Sequence, residues 1–355
     1  MVDITSLLKT TKTDAFLISQ FYNVLYLTGF EPLSPHEREA YLLLINGKKI
    51  IITDGRYAGE KHNEDCELYI LQPKERALDA IGRMCKESNV KILGCEMDDL
   101  KWGEEIQLKK TGIEPVPFAQ ILSPYRSIKT DEELFAIKQA CHIGDQVLKD
   151  ITPYIHPEQS EKEIAWLLEK MVREGYGAQI AFDPIVAVDT HAANPHYNTK
   201  QGEGMIKDGS FLLIDFGVKF HNYSSDITRM VGIGEVSDEI KNTYSKLLEV
   251  QKKTVDYVDS AMELKSIDTF CRSELQKNNL PNFSHSTGHG IGLEVHESPH
   301  VNMISSDIKK IGQVFTIEPG IYIPNKWGMR IEDTVMVSQE GVEVLTRFPK
   351  ELVLV

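Results

Sequence analysis

The sequence predicts an α+β protein of two domains, a small N-terminal α/β unit over residues 1–122 and a larger unit over residues 127–355. Three observations predict it. The 355-residue chain exceeds the ~250–300 residues at which single cores usually divide. Its first third alternates apolar runs of strand length with helical stretches. The remainder runs two helices then strands, twice over, an order that hints at an internally duplicated domain with helices packed on a curved antiparallel sheet.

In the first unit the strands are DAFLIS, YLLLIN, KKIIITD, ELYILQ and KILGCE, with a helical stretch at 75–87. The link lies near ILSPYRSIK, where Pro124 interrupts the pattern. Thr130 and Glu133 then form a capping box, so a long helix starts there with Leu134, Ile137 and Cys141 on its inner face. Ser160 and Glu163 form a second box. Ile164, Leu167, Leu168 and Met171 follow it at helical spacing, and Gly175 closes that helix. Strands IAFDPIVAV and SFLLIDFGV come next, then helices from Ser237 and near Ser266, then strands around 313–323 and 330–337.

Composition narrows the function classes. A formal charge of -14 supplies no electrostatic footprint for nucleic acid or an anionic membrane. No run approaches the ~18 consecutive apolar residues of a membrane span, and MVDITSLLKTTKTD has no leader pattern, so a cytoplasmic location is the expectation. Five scattered cysteines (Cys66, Cys85, Cys95, Cys141, Cys271) without a CxxC pair suit a reducing compartment and read as packing residues.

Five residues carry the chemistry: Asp215 and Asp226 in LLIDFGVKFHNYSSDITR, His289 in STGHGIGLEVHE, Glu318 in FTIEPGIY and Glu332 in GMRIEDTV. Each lies in an apolar, strand-like setting. Buried carboxylates repel one another and cost several kcal/mol when unpaired, so a shared volume requires cations. Singly, each has a plainer reading: turn or capping aspartates, a loop histidine, an Arg330–Glu332 ion pair. Together they read as a two-metal site. Oxygen ligands with one imidazole and no thiolate suit manganese, cobalt, iron or zinc. A water bridging two such ions would lose its proton near neutral pH and become a nucleophile, so amide or ester hydrolysis is the natural reaction.

Two other patterns are rejected. His296, Glu297, Ser298, Pro299 and His300 formally match the H-E-x-x-H zinc-helix motif, but Pro299 would break the helix that motif needs. The glycines of GHGIG lack the spacing and helix signature of a nucleotide loop.

The strings IDFG, SDITR, GHGIGLEVHE, TIEPGIY and RIEDT resemble those of the pita-bread-fold metallopeptidases, the family of methionine aminopeptidase, aminopeptidase P and prolidase. NVLYLTGF and ITDGRYAGE look like the creatinase-type N-terminal domain of its proline-specific branch, and YRSIKTDEELFAIKQA like the domain junction. The resemblance implies two divalent ions (manganese, cobalt or zinc), with Asp215 on one, His289 and Glu318 on the other, and Asp226 and Glu332 bridging. It further implies Glu318 as proton shuttle, and His296 and His196 (in AANPHYN) as groups orienting the scissile amide or its tetrahedral intermediate. His221 and His285 are read as ordinary loop histidines, and Arg330 as supporting Glu332 or reaching a substrate carboxylate.

The implied activity is hydrolysis of the Xaa-Pro bond by a metal-bridging hydroxide, first of all in dipeptides, by a homodimer. One departure matters. Some prolidases carry arginine in an HExPR string to grip the dipeptide carboxylate, and here HESPH places His300 there, a weaker grip than a guanidinium fork. An Xaa-Pro aminopeptidase acting on longer peptides is therefore the alternative. A non-enzymatic peptide-binding relative and a metal-free creatinase-like hydrolase both predict lost ligands, and none is lost.

Overall fold

A computed structural model of the chain describes residues 3–355. It divides into one unit that ends at Tyr125 and a second from Arg126 to Val355.

The first unit is built on a six-stranded mixed sheet in the order 66–70, 48–53, 40–45, 15–18, 92–96, 114–118. The central pairs are antiparallel and the outer pairs parallel. Apolar residues fill both faces of its central strands, so Phe16, Ile18, Leu42 and Leu44 pack in one core and Leu17, Tyr41, Leu43 and Ile45 in another. The 77–87 helix covers the second core through Leu78, Ile81 and Cys85. A helix at Phe21–Thr28 and a strand at Glu114–Phe118 add to the elements the sequence pattern marks.

In the second unit both capping boxes form as read. Thr130 accepts from the Glu133 amide while the Glu133 carboxylate accepts from the Thr130 amide, starting the helix Asp131–Ile151. Ser160 and Glu163 do the same for Glu161–Lys170, which ends in a wider turn at Met171–Gly175. The later helices are Asp238–Ser260, capped by Ser237, and Leu264–Lys277.

A sheet ordered 353–354, 227–232, 211–216, 185–188 has helices on both faces. Strand periodicity sorts its residues: Leu212, Ile214 and Phe216 meet the helices 131–151 and 161–170, while Phe211 and Leu213 meet 238–260 and 264–277. Asp215 continues the Phe211–Leu213 row, a carboxylate where the pattern calls for an apolar side chain. A five-stranded sheet (297–301, 288–290, 314–317, 333–337, 342–344) packs Phe315, Ile317, Val335 and Val337 on the 238–277 helices.

The strands come in several sheets, not one. Two runs read as single strands are interrupted: Pro184 separates Gln179–Ile180 from Ile185–Val188, and Glu318–Pro319 separates Val314–Ile317 from Gly320–Ile323. Proline has no amide hydrogen for a ladder, so both breaks follow from composition. All five cysteines are buried and unpaired. No helix among the described residues is long and apolar enough to cross a membrane.

Candidate metal centre

The four-stranded and five-stranded sheets of the second unit meet at an isolated bridge between Thr228 and Glu332, where the Glu332 amide donates to the Thr228 carbonyl at 3.2 Å. Everything proposed as a ligand gathers there. Strands 211–216 and 227–232 pair antiparallel with Asp215 opposite Thr228, and Asp226 lies one residue before the second strand. Its carbonyl accepts from Thr334 Oγ1 at 2.9 Å.

His289 enters from the short strand 288–290 because its flanking glycines permit close approach. A side chain on Gly288 would strike the Thr316 carbonyl, and one on Gly290 the Ser298–Pro299 backbone. The His289 amide donates to Thr316 Oγ1 at 3.1 Å, and the Glu318 amide to the Thr287 carbonyl at 2.8 Å. His289 Nδ1 donates to the Gly290 carbonyl at 3.2 Å, which leaves the Nε2 lone pair facing inward. Nε2 stands 3.4 Å from Glu318 Oε1 and 3.7 Å from Asp226 Oδ2.

A cavity of about 410 Å³ is lined by Asp215, Asp226, His289, Glu318 and Glu332, and also by His196, His296, His285, His300 and Arg330. Donor atoms of Asp226, His289 and Glu332 all lie within 4.8 Å of one another. Asp215 turns instead to Arg330, whose Nη2 donates to its Oδ2. The same guanidinium donates from Nε to Thr228 Oγ1 at 3.0 Å, and Thr228 passes its own hydrogen to Glu332 Oε2 at 2.6 Å. Arg330 thus steadies Asp215 directly and Glu332 through Thr228, where the sequence left open support of Glu332 or contact with a substrate carboxylate.

The electrostatics show a site short of positive charge. Burial foremost, then the charges of Glu332, Asp215 and Glu318, push the Asp226 carboxyl well above the carboxylate range. Burial and the charges of Glu318 and Asp215 do the same to Glu332. Burial lifts Asp215 too, opposed by Arg330, and lifts Glu318 to about 7. Burial also holds the His289 imidazole neutral, down to about 3. Among the described residues, Asp215 Oδ1 and Asp226 Oδ1 are buried with no hydrogen-bond partner. Buried polar atoms are rarely left so, and two orphaned carboxylate oxygens beside an unprotonated imidazole nitrogen are a donor set that divalent cations fit.

Of the remaining histidines, His196 and His296 line the cavity, and the His296 ring lies 4.2 Å from that of His289. His221 stacks on Phe220 and does not line it, as a loop histidine. His285 is different. It lines the cavity, donates from Nδ1 to the Ser286 carbonyl at 2.7 Å, and takes a hydrogen on Nε2 from Tyr322, itself hydrogen-bonded by Arg330. Only its place four residues before His289 signalled it. Of the H-E-x-x-H residues, His296 lies in a bend and Glu297 to His300 on the strand Glu297–Val301, which excludes the helix that motif requires.

Comparison with known proteins agrees with this geometry. Residues 136–339 match the model of metallopeptidase family M24, and residues 3–128 that of the creatinase/prolidase N-terminal domain. The chain is 32% identical over 343 residues to the Xaa-Pro dipeptidase of Pyrococcus horikoshii, covering 96% of this chain and 94% of that one. The structure of an Xaa-Pro dipeptidase from Bacillus anthracis superposes with a TM-score of 0.91 at 32% identity, covering 99% and 98% of the two chains. That of an X-Pro aminopeptidase from Thermotoga maritima gives 0.87 at 30% identity, covering 99% and 100%. With its pita-bread catalytic domain and creatinase-type N-terminal domain, the chain belongs to metallopeptidase family M24.

Proposed function

We propose that this chain hydrolyses the Xaa-Pro bond of short peptides, dipeptides first, with two divalent cations held by Asp215, Asp226, His289, Glu318 and Glu332. The observation that carries the reading is the pair of orphaned oxygens on Asp215 and Asp226 inside a cavity lined by all five residues. Similarity to enzymes named Xaa-Pro dipeptidase supplies the substrate. In this reading Asp215 would hold one ion, His289 and Glu318 the other, and Asp226 and Glu332 would serve both. Bound there, such cations polarise a carbonyl and acidify a coordinated water.

The chain's own groups do the rest. Glu318 would take a proton from the attacking water and pass it to the proline nitrogen, which as a tertiary amide nitrogen carries no hydrogen of its own. His196 and His296, both on the cavity wall, orient the scissile carbonyl. Pro195, Phe182 and Ile185 give that wall an apolar stretch suited to a pyrrolidine ring. We further propose a cytoplasmic homodimer with no nucleic-acid or membrane partner.

One observation favours a second reading, an aminopeptidase acting on longer Xaa-Pro peptides. Among the described residues the sole Arg or Lys lining the cavity is Arg330, and it is engaged by Asp215, Thr228 and Tyr322. No other permanent cation awaits a dipeptide's carboxylate, and His300 is on the wall instead. The test is to strip the protein of metal, restore manganese, cobalt or zinc, and compare an Xaa-Pro dipeptide with the tripeptide sharing its first residue. Metal-dependent dipeptide cleavage supports the first reading and tripeptide preference the second. Cleavage of neither overturns both.

A further inference from the structure

We infer that Glu161, which does not line the cavity, is a positioning residue for His196. The inference rests on the orienting role proposed above for that histidine. Glu161 is fully buried in the first turn of the Glu161–Lys170 helix, and a carboxylate with no solvent must find donors or a positive field. The helix N-terminus supplies part of that field.

The donors all come from one stretch of chain. Oε1 accepts from the Val188 amide at 2.7 Å and faces His191 Nδ1 at 2.9 Å. Oε2 accepts from Tyr197 Oη at 2.7 Å and from the Gly204 amide at 3.1 Å. Four points spread from residue 188 to residue 204 therefore converge on a single carboxylate. Tyr197 also hydrogen-bonds His191 at 2.9 Å and stacks on its ring, with centroids 4.7 Å apart. Gly204 can be nothing larger, because a side chain there would strike the Glu161 carboxylate.

Pro195 and His196 lie between two of these anchors, His191 and Tyr197, and both line the metal cavity. No secondary structure holds them: the segment between Ala193 and Thr199 belongs to neither helix nor strand. The His196 side chain is exposed, and its amide is held only locally, by Asn194 Oδ1 at 3.1 Å. The direction in which His196 enters the cavity is accordingly set from Glu161, at the start of the Glu161–Lys170 helix.

The test compares metal-loaded wild type with Glu161→Gln, His196→Ala and the double variant by three measurements: manganese affinity by calorimetry, amide hydrogen exchange over 188–204, and kcat and KM on an Xaa-Pro peptide. Glutamine keeps the shape but turns an NH2 toward donors on one side of the cluster. Loss of a hydrogen bond to a charged group is worth about tenfold. We expect exchange over 188–204 to rise about tenfold and kcat to fall by a similar factor. Manganese affinity should stay within about twofold, since the metal ligands lie elsewhere. The double variant should be no more than about twofold slower than His196→Ala alone.

Wild-type exchange in Glu161→Gln, or kinetic losses that multiply in the double variant, would overturn the inference. If Glu161→Gln does not fold, Tyr197→Phe carries the test by removing one donor: a smaller rise in exchange with a smaller fall in kcat supports it, and no change in either overturns it. Failure of wild type to cleave any Xaa-Pro peptide would sink the proposed function, while the exchange measurement would still decide whether Glu161 fixes the segment.

Discussion

Arg330 donates from Nη2 to Oδ2 of Asp215, and the other oxygen of that carboxylate has no hydrogen-bond partner among the described residues. The two residues are 115 positions apart in sequence. Their pairing leaves Oδ1 of Asp215, a residue of the cavity wall, without a partner and occupies the only guanidinium lining that cavity among the described residues.

Removing that clamp should weaken metal binding without removing a ligand. Groups that orient metal ligands are typically worth ~10–100-fold in affinity. Arg330→Met is expected to lower manganese affinity by a factor in that range, read by calorimetry on stripped protein. Unchanged affinity would mean that Asp215 needs no orienting partner.

The crowded carboxyls predict an unusual pH dependence for metal-free protein. Burial holds Glu318 at about 7, above an ordinary glutamate's ~4.3, and Asp226 and Glu332 shift in the same direction. A carboxyl raised on folding contributes stability that is fully present below its unfolded value and lost as pH rises through the folded one. His289, depressed to about 3, has the opposite sense, its contribution present above ~6.5 and lost on acidification. Urea midpoints of stripped protein should therefore fall between about pH 6 and pH 8, and manganese should flatten the trend. A stripped protein that gains stability over that interval would contradict the charge assignment.

Gly290→Ala tests the close approach that admits His289. The added carbon would meet Ser298 and Pro299 backbone, which cannot rotate away as a side chain could. Overpacking of this kind costs about 1–3 kcal/mol, and here it should also reduce metal affinity. Thermal unfolding together with a metal titration reads both, and a variant normal in both would show that the strand has slack.

His300→Arg addresses substrate length. A guanidinium on the cavity wall would offer a bidentate grip that imidazole lacks. The ratio of kcat/KM for an Xaa-Pro dipeptide to that for the matching tripeptide should rise about tenfold or more. No change in the ratio would place the carboxylate elsewhere.

Much of this is legible in the sequence. Capping boxes at Thr130 and Ser160 are local chemistry, complete within four residues, and both formed as read. Asp215 stands out because it breaks the apolar pattern of its strand, and Asp226, Glu318 and Glu332 because each borders an apolar, strand-like run.

What escaped was contact between distant segments. Arg330 with Asp215 and His285 with Tyr322 leave no periodic trace. The Phe21–Thr28 helix is apolar around most of its circumference and begins at Gln20, not at one of the strong capping residues, so it carries no amphipathic signature. The strand Glu114–Phe118 contains two prolines, tolerable because it is the edge of its sheet, a fact the sequence does not disclose.

The most direct test of the central claim is the number of divalent ions the five residues hold. Metal-free wild type titrated with manganese, with bound metal counted by elemental analysis, is expected to take up two ions per chain. Asp226→Ala and Glu332→Ala should each lose metal and all turnover. Wild type saturating with one ion or none, or either variant retaining full metal content and activity, would contradict the two-metal account.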